Sequence, residues 1–251
     1  MLASECIRHV NTRWVEKRAL AGLLRRSVLP ARVALDVGCG IRPQTLVWPD
    51  LHICVEGHDE YVEYLRARCS ESPRYMVMHS SWKDALRIMP SNSVDTVFAL
   101  DFIEHLTKGE GFEFLAQAER VARRQVVLFT PLGYFPQSYE EDHETDRWGM
   151  HGGYWQTHRS GWTPEDFPAG WEFIACRDYH THDRHGRLDE AAGCFWAIRT
   201  FPQTDAAGAT AGLWEWQMWS QTMFHRHAPA WCLRALRALR AALQPAGYVK
   251  V

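Results

Sequence analysis

Three short stretches hold residues that could do chemistry, and each stands where an apolar run stops. The first is Asp101-Phe102-Ile103-Glu104-His105, directly after the run Val94 to Leu100. If that turn is helical, residues 101, 104 and 105 share one face, being three and four apart. An imidazole titrating near ~6.5 suits proton removal there. The second stretch is Leu35-Asp36-Val37-Gly38-Cys39-Gly40, closing the run that begins at Val33. Glycine supplies positive φ and lets backbone approach a ligand closely. A strand entering such a turn is how an open α/β sheet builds a nucleotide or nucleoside pocket. The third is Glu56, which closes the run His52 to Val55 and lies twenty residues after Asp36. An acid so placed can accept hydrogen bonds from two ribose hydroxyls.

Strands and helices in alternation would position these groups. Residues 4–27 read as a helix, with Ile7, Val10, Trp14, Leu20 and Leu24 on a buried face, ended by Pro30. Strands follow at 33–37, 52–55, 75–78, 94–100 and 126–130, with helices at 59–69 and 108–123 between them. The second of these helices points Phe112, Leu115 and Ala118 inward. Ser80-Ser81-Trp82 follows the third strand and faces the base of a nucleoside bound in this order; Trp82 could stack there or simply join the core. After Pro131 an insert spans 132–169, the length of a functional lid. Its acidic run 140–146 reads as solvated. Thr163 caps a short helix through Pro164 and Asp166. Strands at 171–176 and 194–200 form a hairpin across a long loop, which leaves His180, His182 and His185 in solvent. Tryptophans 148, 155, 162 and 171 could make a flat platform for a sugar or aromatic acceptor, or bury apolar area without a ligand.

The expected fold is α/β: a Rossmann-like, seven-stranded, mostly parallel sheet with helices on both faces and strand seven antiparallel. The insert follows strand five, and a helical tail closes the chain. In segments this gives an N-terminal helix (1–29), the main domain (30–202), a small-residue linker (203–212) and an amphipathic tail (213–251). Residues 225–251 hold five Lys or Arg and no acid. The tail is expected to dock on protein, on this domain or in a homodimer, or to make peripheral contact with an anionic membrane surface.

Composition narrows the class. A chain of 251 residues can bury a sizeable core, and a net charge of −2 exerts no global pull toward nucleic acid or membrane. The seven cysteines are odd in number, scattered, and never in Cys-x-x-Cys, which argues for a reducing, cytoplasmic setting. No apolar run approaches the ~18 residues of a membrane span.

The alternating strands and closing hairpin resemble the class I S-adenosylmethionine-dependent methyltransferases over about residues 30–200. The residues that carry the resemblance are Asp36-Val37-Gly38-Cys39-Gly40, Glu56, the strand around Asp95, Glu104-His105 and Thr130-Pro131. The family's third glycine is replaced by Ile41-Arg42-Pro43. The resemblance implies that Gly38, Cys39 and Gly40 take the methionine part of the cofactor. It implies that Asp36 orders that turn or reaches the amino group through water, and that Glu56 holds the ribose. Ser81 and Trp82 would lie by the adenine, and Asp101 by the reactive end.

A sharper resemblance is to small-RNA 3′-terminal 2′-O-methyltransferases, and over the Glu-His run to ubiquinone-biosynthesis O-methyltransferases. It rests on Asp101-x-x-Glu104-His105 and on His158, four before Trp162-Thr163. It implies a divalent site, Mg or Mn, held by Asp101, Glu104, His105 and His158, where an acceptor hydroxyl is activated. Asp101 stands where those RNA enzymes carry Glu. Without metal, His105 and Glu104 would be the catalytic pair. The expected activity is O-methylation of a sugar, glycan or secondary-metabolite hydroxyl. The core lacks a basic stripe, which speaks against nucleic acid. The alternatives are an RNA terminal ribose or a non-catalytic binding subunit.

Overall fold

The computed structural model describes residues 11–202. The linker and basic tail read from 203 onward, and the first turns of the N-terminal helix, lie outside the described residues. Eight strands form one sheet: β1 (Thr12–Trp14), β2 (Val33–Val37), β3 (Leu51–Glu56), β4 (Tyr75–His79), β5 (Val94–Leu100), β6 (Ala122–Pro131), β7 (Trp171–His182) and β8 (Arg187–Thr200). Their order is β1-β7-β8-β6-β5-β2-β3-β4. All neighbours are parallel except β8, which runs antiparallel to both β6 and β7. The chain leaves β2 toward β3 on one side and pairs it with β5 on the other. That reversal opens a crevice at the carboxyl ends of β2 and β5, where open α/β sheets take ligands.

Helices α1 (Lys17–Ser27), α2 (Asp59–Cys69), α3 (Trp82–Ile88) and α4 (Lys108–Val121) cover the two faces. Strand side chains alternate. Leu35, Val37, Val97 and Ala99 pack with α3 and α4. Ala34 and Phe98 face α1, and Cys54 faces Leu65 of α2. Such a sheet, buried on both faces, explains why its strands read as continuous apolar runs.

Several boundaries differ from the sequence reading. The stretch read as one helix over 4–27 holds strand β1 and then α1, because Thr12 to Trp14 pair in parallel with β7 and add an eighth strand. Helix α4 stops at Val121 because Ala122 already pairs with Val94 of β5. Leu115 and Ala118 point inward as expected, joined by Phe114, whereas Phe112 is exposed. The hairpin has a short turn at 183–186, so His180 and His182 are strand residues and only His185 lies in the turn.

Candidate active site

The crevice holds two cavities. The first, about 270 Å³, is lined by Gly38, Gly40, Glu56, Ser81, Trp82 and the insert residue Trp155, among others. The second, about 520 Å³, is lined by Glu104, His158, His180, Arg147, Phe135 and others. Asp101, His105 and Gln156 belong to both walls.

The glycine-turn cavity is assembled locally. Gly38 and Gly40 have φ of 64° and 55°, left-handed values that few side chains accept. A Cβ on Gly40 would stand in open space with nothing within 4 Å, so bare backbone faces the cavity. Gly38 donates from its N–H to Val55 O, and its Cα lies against the Phe102 ring. Asp36 does not line the cavity; its Oδ2 accepts from Gln44 N at 2.7 Å and faces His52 Nε2 at 3.2 Å. It ties the segment after the turn, at Gln44, to β3 at His52. Cys39 is buried against Cys54 and Leu65, beneath the cavity rather than in it.

Glu56 is buried at the end of β3. Its Oε1 accepts from Gly57 N (2.8 Å) and His58 N (2.9 Å), and its Oε2 from Gly40 N (2.9 Å). Burial pushes its pKa up, and the three N–H groups oppose that. With three of a carboxylate's roughly four acceptor sites taken, Oε2 keeps one for a hydroxyl. Ser81 caps α3, accepting from Asp84 N at 3.2 Å, while lining the cavity. Trp82 is half-buried and edge-on to Phe114 at 5.6 Å, and Phe102 meets the same Phe114 ring at 5.1 Å. Trp155 roofs the cavity: a Cβ on Gly57 would meet its ring at 2.7 Å.

The histidine cavity is assembled across the chain. Glu104 and His105 form a 3-10 turn after β5. The insert is stitched to that turn, since Arg159 N and Ser160 N both donate to Glu104 O, at 2.8 and 3.1 Å. Arg159 also donates to His105 O at 2.8 Å. This brings the His158 ring to 4.9 Å from that of His105. His105 Nδ1 lies 3.1 Å from Thr157 O, and His158 Nδ1 lies 2.6 Å from Phe135 O. A carbonyl only accepts, so both Nδ1 atoms carry the proton and both Nε2 atoms keep a lone pair.

Glu104 accepts from Thr130 Oγ1 at 3.0 Å through Oε2, while its buried Oε1 meets no donor in acceptable geometry. Burial, with Asp101 nearby, raises its pKa strongly. Burial lowers His158 and, helped by His158, takes His105 down to about 3. Ligand atoms of Glu104, His105 and His158 all lie within 4.8 Å of one another. Neutral imidazoles with second nitrogens tied to carbonyls, beside an unpartnered buried carboxylate oxygen, match the donor set and outer shell of a divalent metal site.

Asp101 stands outside that triad. Its backbone is left-handed (φ 50°), and its carboxyl faces the shared wall of the two cavities. It keeps accessible surface yet is crowded by protein atoms, and that desolvation pushes its pKa up to about 6.

Other expectations from the sequence meet corrections. His180 is not solvated: it packs on Phe135 at 5.1 Å, and its buried Nε2 has no partner. Asp146, in the run read as solvated, is buried and accepts from the Tyr61 hydroxyl and from Trp148 N. Trp162 and Trp171 are core residues, not a platform. Trp162 fills the space against Gly111, where a Cβ would meet its ring at 2.1 Å. The Thr163 cap is present, with Thr163 N donating to Asp166 Oδ2 at 2.7 Å. Tyr61, Phe102, Gln156 and Arg147 were not singled out. Trp155, one of the four tryptophans expected to form a platform, lines the glycine-turn cavity, whereas no sequence signal marked Arg147.

The solved structures similar to this chain include WbdD, at 14% identity and a TM-score of 0.45, covering 72% of this chain and 33% of that one. The chain thus spans about a third of WbdD's length. Others are a SAM-dependent methyltransferase from Archaeoglobus fulgidus (15%, 0.45, 73% and 94%) and the N-terminal domain of EvdMO1 in the presence of SAH and D-fucose (12%, 0.46, 72% and 81%). No curated protein matches the chain. Residues 35–130 match a family model described as a methyltransferase domain. That stretch runs from β2 through β6 and includes Gly38, Gly40, Glu56, Asp101 and Glu104, so the part of the chain similar to a methyltransferase domain holds both the glycine turn and the Glu-His turn.

Proposed function

We propose that this chain is an S-adenosylmethionine-dependent methyltransferase acting on a hydroxyl oxygen of a sugar, glycan or secondary metabolite. One observation supports it above the rest: two cavities of unlike chemistry meet at a common wall of Asp101, His105 and Gln156. The glycine-turn cavity suits a nucleoside. Glu56 holds the ribose through a hydroxyl, bare backbone at Gly40 admits the amino-acid portion, and Trp82 offers an edge to the base. Tyr154 and Trp155 exclude water from above. The donor supplies an electrophilic methyl on a sulfonium. What these residues must do is hold the two reactants in line, since transfer of this kind gains most from positioning.

The acceptor lies in the histidine cavity under this reading. A bare hydroxyl is a poor nucleophile. His105 alone is a weak base there, because burial takes it down to about 3. This favours the ligand role for Glu104, His105 and His158, with Mg²⁺ or Mn²⁺ as occupant. A bound divalent ion would lower the acceptor hydroxyl's pKa. Asp101, pushed up to about 6, has a proton affinity near neutrality and lies at the meeting point, so it is suited to receive the released proton.

The test is calorimetry with S-adenosylhomocysteine, followed by transfer of labelled methyl with and without Mn²⁺. Saturable binding lost in Glu56→Ala is expected. Stimulation by the ion should vanish in both Glu104→Ala and His158→Ala. Full turnover in excess chelator, from protein free of metal, would sink the metal role. A terminal ribose of RNA is the second reading, and the meeting of Glu104, His105 and His158 favours it. Activity falling steeply with salt, in proportion to phosphate contacts, would select it.

A further inference from the structure

We propose that Arg147 forms an anion subsite in the histidine cavity, so that the acceptor carries a carboxylate or phosphate beside the hydroxyl to be methylated. This deepens the methyltransferase reading and rests on it for the word acceptor.

The loop that presents Arg147 is built rather than loose. Buried Asp146 accepts from the hydroxyl of Tyr61, a core residue of α2, through Oδ2. Its Oδ1 accepts from Trp148 N at 2.7 Å and Met150 N at 3.1 Å, and its own N–H donates to Met150 O at 2.8 Å. A tight turn is thereby pinned to the domain on both sides of residue 147.

The guanidinium is oriented by its face. It lies 4.4 Å from the Trp148 ring centroid, and Arg42 covers the same indole at 4.1 Å. Stacking uses the flat surface of a guanidinium and leaves its edge N–H donors available. Those donors have no hydrogen-bond or ion-pair partner among the described residues. The other arginine in this cavity, Arg184, is already engaged with Glu144 and Ser138 O.

Arg147 lines the cavity with Glu104, His158 and His180. Arg147 is exposed at the cavity mouth, close enough for its charge to act on Asp101, His105, His158 and His180. His180 adds an unpartnered nitrogen, Nε2, on the same wall. A fork of free N–H donors on a rigid loop matches the planar oxygens of a carboxylate or the oxygens of a phosphate. A neutral polyol would leave the charge unanswered.

The experiment uses the full chain labelled with ¹⁵N-arginine, saturated with S-adenosylhomocysteine and without added metal. The Arg147 Nε resonance is identified by its loss in Arg147→Lys. D-Glucuronate, inorganic phosphate and neutral methyl glucoside are titrated separately. A saturable shift of that resonance with glucuronate or phosphate, and none with the glucoside, is expected. Glucuronate alone points to a sugar acid, and phosphate alone to a phosphorylated acceptor. Arg147→Ala should abolish saturable binding of the effective anion in calorimetry. Arg147→Lys should weaken it about tenfold by losing the fork. Silence toward both anions, an equal response to the glucoside, or a parallel drift of every arginine signal would overturn the proposal. Failure of S-adenosylhomocysteine to bind while Arg147 still responds would instead overturn the methyltransferase reading and leave the anion subsite standing.

Discussion

The two cavities differ in how they are made. The glycine-turn cavity is built at the strand ends of β2, β3 and β4 by residues that act within a few positions of one another, such as Glu56 with Gly57 and His58. The histidine cavity exists only because Arg159 and Ser160 reach back 55 and 56 residues to the Glu104 carbonyl, 159 − 104 and 160 − 104. Local turns make a site robust, whereas a site closed by an insert depends on the packing of that insert. Perturbing the insert should therefore damage the histidine cavity more than the glycine-turn cavity, to which the insert contributes only Tyr154, Trp155, Gln156 and Arg159.

The sharpest way to break this comparison is at the triad. Glu104→Ala and His158→Ala should each lower methyl transfer by about 10²–10⁴-fold, the range for loss of an activating group, while S-adenosylhomocysteine affinity stays near that of the parent protein. A matching loss of cofactor affinity would show that the cavities are one unit. Next is Glu56→Ala, which removes the charged acceptor from the ribose. At about 1.5–3 kcal/mol, cofactor affinity should fall by roughly 10–150-fold, read by calorimetry, with metal uptake unchanged.

Gly111→Ala probes the support of the insert. The added methyl meets the buried Trp162 ring at 2.1 Å. Overpacking of this kind costs about 1–3 kcal/mol, seen as a lower denaturation midpoint. Metal-dependent activity should suffer more than cofactor binding, because Trp162 lies four residues from His158 and hydrogen-bonds Ser160 at 2.8 Å.

The smallest effect is expected at Asp101. Its folded pKa, about 6, lies above the ~3.9 of an unfolded aspartate. The folded state therefore favours the protonated form. The contribution is fully favourable below ~3.9 and is lost as pH rises through about 6. Asp101→Asn should flatten the stability profile across that window, followed by thermal melts at stepped pH. An unchanged profile would place the Asp101 carboxyl in bulk water instead of on the shared wall.

The parallel strands were legible because both sheet faces are covered, which turns each strand into an apolar run ending at a polar residue. Asp36, Glu56 and Asp101 all stand at such endings. Strand β1 was illegible for the opposite reason. Thr12 to Trp14 lie at the sheet edge, are largely exposed, and gain their conformation only from pairing with β7. Phe112 and Phe114 could not be told apart by helical period alone. Phe114 packs edge-on to Trp82 and Phe102 in the core, while Phe112 meets Trp162 from the surface. His180 was misread because the loop looked long; the hairpin extended once Arg187 found His182.

Sequence alone determined the donor side: a strand, a turn of two glycines and an acid after the next strand are local chemistry, and spacing suffices to place them. Only the tertiary structure decided the other side. It chose which of thirteen histidines meet at Glu104, sank Asp146 while lifting Arg147, and made Trp155 a roof and Trp162 a core residue. Those choices depend on contacts between residues tens of positions apart, where the chain's own periodicity holds no information.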